Sequence, residues 1–341
     1  MLRSRKAVLV AVGLIVFAIA GAVIIYAGIR RSEVADASAA PELLAEVPAG
    51  ASTLVYADLA AIRASTFYQQ RPDRGPIAIP DRDYADFVQS TGFDFEKDLD
   101  SVVVASWPAD LSTDQNKQDQ KKTIVVADGR FDRKKIRDYA LRKGKLDRQE
   151  GRDVFQFPID DKPGWNSIVF LNDRRIAIVQ GSSIAPLLGR HDDASASDPA
   201  RERAARVSGA AIFAISRVPP IPDNFSAGGL QSAQLMGLAR SVQWVTLAAR
   251  PEGNDLRVSL DGECQTPTDA RQLEAALEVF RLLGRAALEG PKTRQSMDPV
   301  TFGVLETMLK TADISATAEQ VRIMVEFTPD ILKLGGPKKA Q

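Results

Sequence analysis

The chain is 341 residues long with 44 basic and 44 acidic side chains, and this balance removes the long-range attraction that would draw it to nucleic acid or another charged polymer. An apolar fraction of 45% suffices for a packed core. The only cysteine, Cys264, excludes an intrachain disulfide framework, Cys-x-x-Cys chemistry and a lipid-modified N-terminal cysteine.

Arg3, Arg5 and Lys6 lead into an uncharged apolar run, Ala7 to Ile29, closed by Arg30 and Arg31. At about 1.5 Å per residue the run extends roughly 34 Å, enough to cross a hydrocarbon core of about 30 Å with a modest tilt. A cleaved signal peptide has a shorter apolar core and then small residues at the cut. Ala35 to Ala40 supplies small residues, but Arg30 and Arg31 separate them from the run. The run therefore predicts an uncleaved signal anchor. Positive charge is in slight excess before it, which places residues 1–6 in the cytoplasm and the bulk of the chain outside.

The polar segment 30–47 follows as a linker. Ser52 to Asp58 reads as a strand and Leu59 to Gln70 as a helix. After the proline-rich connector Arg71 to Pro80 comes a helix near Asp83 to Ser90. Strands fit Ser101 to Trp107 and Thr123 to Asp128, separated by the polar loop Asp110 to Lys122. Apolar spacing at Ile136, Tyr139 and Ala140 makes Asp132 to Lys143 helical. Strands are predicted over Arg152 to Phe157, Asn166 to Leu171 and Arg175 to Gln180, the last two joined at Asn172-Asp173. Ser183 to Leu188 forms a helical turn. These elements define a first module over 48–190 and a linker over 191–206.

A second module, 207–334, shows the same order before the tail 335–341. GASTLVYADL from Gly50 matches GAAIFAISRV from Gly209, and VVVASWP to Pro108 matches VTLAARP to Pro251. TIVVADG to Gly129 matches LRVSLDG to Gly262, and each continues into a helix, the second over Thr268 to Leu288. IAIVQGSSIAPLL from Ile176 matches VRIMVEFTPDIL from Val321. The shared order suggests an internal duplication, against chance agreement of generic strand patterns. Helices among hairpin-linked strands predict an α+β fold: two similar modules with largely antiparallel sheets, helices covering one face, after the transmembrane helix.

The anchor followed by ELLAEVPAGASTLVYADLAAI (Glu42 to Ile62), a Pro-bearing lead into a Val/Tyr strand ending in Asp-Leu, resembles uncharacterised bacterial single-pass membrane-anchored proteins. Their extracytoplasmic domain is of unknown function. The resemblance covers that stretch, implies a bacterial envelope setting, and carries over no catalytic residue.

His191 is the only histidine, in a polar His191-Asp192-Asp193 loop. A catalytic triad or a paired-histidine zinc site has no other histidine to use. There is no Gly-x-Ser-x-Gly elbow, P-loop or dinucleotide fingerprint. No catalytic, cofactor or metal residue is therefore assigned. Paired carboxylates stay open as a glycosidase-type site, with Asp58 and Asp128 at strand ends. Such aspartates ordinarily cap turns or helices.

Two surfaces are candidates for binding. Arg130 to Arg148 holds nine basic and three acidic residues, so Arg133, Lys134 and Arg137 are candidate contacts to an anionic surface. The competing reading sets this stretch against Asp83 to Asp100, with six acids and one lysine. The connectors Arg71–Pro80 and Val218–Gly229 carry Ile77, Ile79, Ile221 and Phe225 as candidate partner contacts, against a bland reading as rigid links. Three function classes follow: a non-catalytic envelope interaction or scaffold protein, a small-molecule or lipid binder with its site between the modules, and a carboxylate-based hydrolase. The first is favoured. Its partners are the lipid bilayer, through the N-terminal helix, and an envelope protein.

Overall fold

The computed structural model describes residues 39–70, 82–107, 123–158, 165–188, 198–219, 240–290 and 299–333. The apolar run 7–29, the loop 110–122, His191 and the four contacts Ile77, Ile79, Ile221 and Phe225 lie outside them. The chain divides into two units, one drawn from 29–64 and 75–215 and the other from 1–28, 65–74 and 216–341.

In the first unit, Val- and Ile-rich alternation builds β1 (Thr53–Asp58), β2 (Leu99–Ser106) and β3 (Thr123–Gly129). Later come β4 (Lys145–Gln149), β5 (Arg152–Pro158), β6 (Trp165–Phe170), β7 (Arg175–Gln180) and β8 (Ile212–Arg217). Their order is β8-β1-β2-β3-β7-β6-β5-β4, and the registers from β1 through β4 are antiparallel. Successive side chains of a strand point to opposite faces, and Arg175 and Ile176 show what covers each. Arg175 bonds Glu46, at the end of helix Ala39–Ala45. Ile176 packs on the cluster of Ile136, Ala140, Phe155 and Phe170 beneath helix Arg133–Lys143. Helices therefore lie on both faces, where one covered face is predicted. The antiparallel α+β character is as expected.

In the second unit, β9 (Val242–Glu252), β10 (Asp255–Cys264), β11 (Asp313–Thr317) and β12 (Gln320–Phe327) run in the order β11-β12-β10-β9. The printed pairings of β10 with β9 and of β12 with β10 and β11 are antiparallel. Helix Pro267–Leu288 starts at the N-cap Thr266, whose hydroxyl accepts the Asp269 N–H at 3.1 Å. Its Ala270, Leu273 and Leu277 pack on Cys264, Val321, Ile314 and Ala316. Helix Pro299–Thr311 lies beside it, so close that a Cβ at Gly284 would sit 2.9 Å from Leu309 Cδ2. A larger residue there would have to displace the Leu309 side chain.

Several elements depart from their prediction. One helix is expected over Leu59–Gln70; the chain forms Leu59–Ala64 and Thr66–Gln69, because Ser65 takes an extended conformation and its hydroxyl caps Tyr68 N–H. The second piece, with Phe67 and Tyr68 buried, belongs to the second unit. Residues 199–206, expected as linker, form a helix capped by Asp198 with proline at its first position. That helix and most of β8 fall in the first unit. Strand β4 and helix Pro299–Thr311 were not predicted.

Candidate functional site

Across the first unit, Asp58 faces Ser101, Ser101 faces Asp128, and Asp128 faces Arg175 in successive registers. This polar row crosses β1, β2, β3 and β7 and sets Asp58, Asp128 and Arg175 near the core. The Arg175 guanidinium donates to both Asp128 oxygens at 2.7 and 2.8 Å and to Glu46 at 2.9 Å, with Glu42 at 3.5 Å. Asp58 accepts the Ala61 N–H at 2.7 Å and the Tyr56 hydroxyl at 3.5 Å. Burial raises the Asp58 carboxyl above the usual carboxylate value, opposed by the Ala61 N–H bond. Burial and the Asp58 carboxylate likewise raise the Tyr56 phenol. Both carboxylates have structural duties: Asp58 caps helix Leu59–Ala64, and Asp128 neutralises Arg175. The second unit carries a matching pair, with Asp261 opposite Arg322 and an Arg322 Nε to Asp261 Oδ1 distance of 2.6 Å.

Arg133, Lys134 and Arg137 are exposed on helix Arg133–Lys143. Arg133 sits over the Phe170 ring, 5.1 Å from its centroid, and 3.6 Å from Asp173. Among the described residues no carboxylate pairs with Lys134 or Arg137. The opposing acidic segment compensates part of the stretch: Lys143 meets Asp86 at 2.8 Å, and this hydrogen bond lowers the Asp86 carboxyl. Arg130 likewise pairs with Asp98 at 3.4 Å.

Among the described residues, the largest exposed apolar group lies on helix Pro267–Leu288, where Val279 is 55% exposed, Phe280 36%, Leu282 57% and Leu283 61%. The sequence reveals the core face through Leu273 and Leu277. Apolar spacing alone puts Leu273, Leu277, Phe280 and Leu283 near one sheet-covering face, and so hides the second apolar face. Near the helix end, Arg285, Leu288, Glu289, Gly290, Phe302 and Lys310 help line a cleft of about 400 Å³. Among the described residues no group of acidic, Cys or His side chains could hold a metal ion, and no helix is long and apolar enough to cross a membrane.

No protein-family model matches the chain, and no curated protein matches it. Solved structures of TP0453 in crystal forms I, III and IV are similar to it at 12% sequence identity, with TM-scores of 0.39, 0.42 and 0.44. These alignments cover 85% of this chain and 94–95% of that one.

Proposed function

We propose that the chain is a membrane-anchored, extracytoplasmic interaction or scaffold protein of the cell envelope, held by residues 7–29. The observation that carries the reading is the exposed Val279–Leu283 face on a helix whose other face is already packed. A soluble surface does not ordinarily keep adjacent large apolar side chains on one helix face without a partner. Val279, Leu282 and Leu283 are each more than half exposed, so covering them gains about 3–5 kcal/mol. That is small against the roughly 4–15 kcal/mol that free association costs in lost motion. It suffices when a tether has already confined the chain beside its partner. Exposed Arg133, Lys134 and Arg137 suit anionic groups in the same setting.

An internal duplication is part of the reading. It is supported by Gly50 and Gly209, which enter β1 and β8 at φ of 78° and 81°. The cleft near Arg285 favours a second reading, binding of a small amphiphilic molecule. The structural duties of Asp58 and Asp128 argue against a carboxylate hydrolase built on them. Paired C-terminal fusions in a bacterial host test the anchored reading: an active alkaline phosphatase with a dark cytoplasmic fluorescent reporter supports it, and the reverse contradicts it.

A further inference from the structure

We propose that the outward face of helix Pro267–Leu288 docks on the surface of the lipid bilayer that anchors the chain. The helix has two apolar faces. At about 100° per residue, Ala275, Val279, Leu282, Leu283 and Ala286 fall within an arc of roughly 100°. Ala270, Leu273 and Leu277 occupy the opposite side and pack on the sheet. Glu274, Glu278, Arg281, Arg285 and Glu289 are confined to a strip between them. Residues in contact with the sheet cluster all lie in the first half of the helix. The second half meets helix Pro299–Thr311 at Gly284 and leaves its outer side bare.

The occupant follows from the chain outside the described residues. The apolar run ends at Ile29 and the described chain begins at Ala39. Roughly ten intervening residues span at most about 35 Å when fully extended. On the anchored reading a bilayer is an apolar phase held permanently beside the chain, whereas a second copy must be found by diffusion. The bare stripe is also well short of the roughly 800 Å² per partner of a stable protein interface. Arg285, three residues after Leu282, has no ion pair among the described residues. Its guanidinium can reach headgroup phosphates while the leucines enter the acyl boundary.

This rests on the anchored reading, and its test separates the two. The full chain, carrying Cys264→Ala with either Leu283→Cys or Arg271→Cys, is labelled with an environment-sensitive fluorophore. It is then reconstituted in vesicles of phosphatidylcholine and phosphatidylglycerol. Flotation with the vesicles after an alkaline wash reports the anchor. Nitroxide-bearing lipid is expected to quench the label at 283 severalfold more than the label at 271, and aqueous iodide the reverse. Equal iodide access at both positions overturns the docking. Protection at 283 that ignores lipid quencher and fades on dilution also overturns it, and assigns the face to a second copy. Failure to float overturns the anchored reading and the docking with it.

Discussion

Asp58 and Arg175 show how the same buried row treats two charges differently. Asp58 has one backbone N–H and a distant phenol for partners, so burial dominates and its carboxyl is raised above 3.8. A group whose folded value is raised favours the fold fully below its unfolded value, and that contribution is lost as pH rises through the folded value. Asp58→Asn keeps an acceptor for Ala61 and removes the buried charge. Urea unfolding should therefore find the variant at least as stable as the parent at pH 7, with any advantage shrinking toward pH 4. A loss above about 1 kcal/mol at pH 7 would show that the charge itself is required. Arg175 is different, because Asp128 in the row and Glu46 beside it both accept from it. Arg175→Leu should cost on the order of 3 kcal/mol by leaving Asp128 unpaired, and the added Asp128→Leu should recover much of that loss. Arg322, whose side chain is 53% exposed, makes the same contact in solvent, and Arg322→Leu should cost under about 1 kcal/mol. Similar losses at the two sites in thermal melts would contradict this difference in burial.

At the scale of elements, strands with Val/Ile alternation were legible, and β1, β3 and β7 begin and end within a residue or two of their predicted limits. Strand β4, Lys-Leu-Asp-Arg-Gln, was not, because it is an exposed edge whose polar side chains carry no alternation signal. Its one clue is the turn Glu150-Gly151, both at positive φ. Helix Pro199–Arg206 was hidden by composition, although Asp198 before Pro199 is a start signal with a mechanism. The polar row was half legible: the strand-ending aspartates stand out in sequence, but their arginine partners lie 47 and 61 residues away and become neighbours only through register. The exposed helix face was illegible for a related reason, since periodicity shows which residues are apolar and not which of two apolar faces meets a sheet. Gly50 and Gly209 give the duplication a consequence. Both have left-handed backbone and open space where a Cβ would go, so Gly50→Ala and Gly209→Ala should each cost about 1 kcal/mol through backbone strain alone. Equal costs in urea titrations support equivalent entries into β1 and β8; a neutral substitution at either position breaks the equivalence.

For the whole molecule, the proposed function rests on placement more than on a reaction. The carboxylates near the core are occupied in holding strands and helices together, while the features left over are surfaces: a basic helix in the first unit and a bare apolar helix face in the second. Neither surface offers much affinity for a free partner, and both gain from confinement at a membrane. The proposed orientation rests on the charges flanking residues 7–29, and protease access to spheroplasts tests it most directly. The full chain is expressed with an N-terminal tag, and protease is added to intact spheroplasts. The account predicts loss of the full-length band and survival of a short tagged fragment carrying the span. A full-length chain that stays protected until the membrane is broken would contradict it.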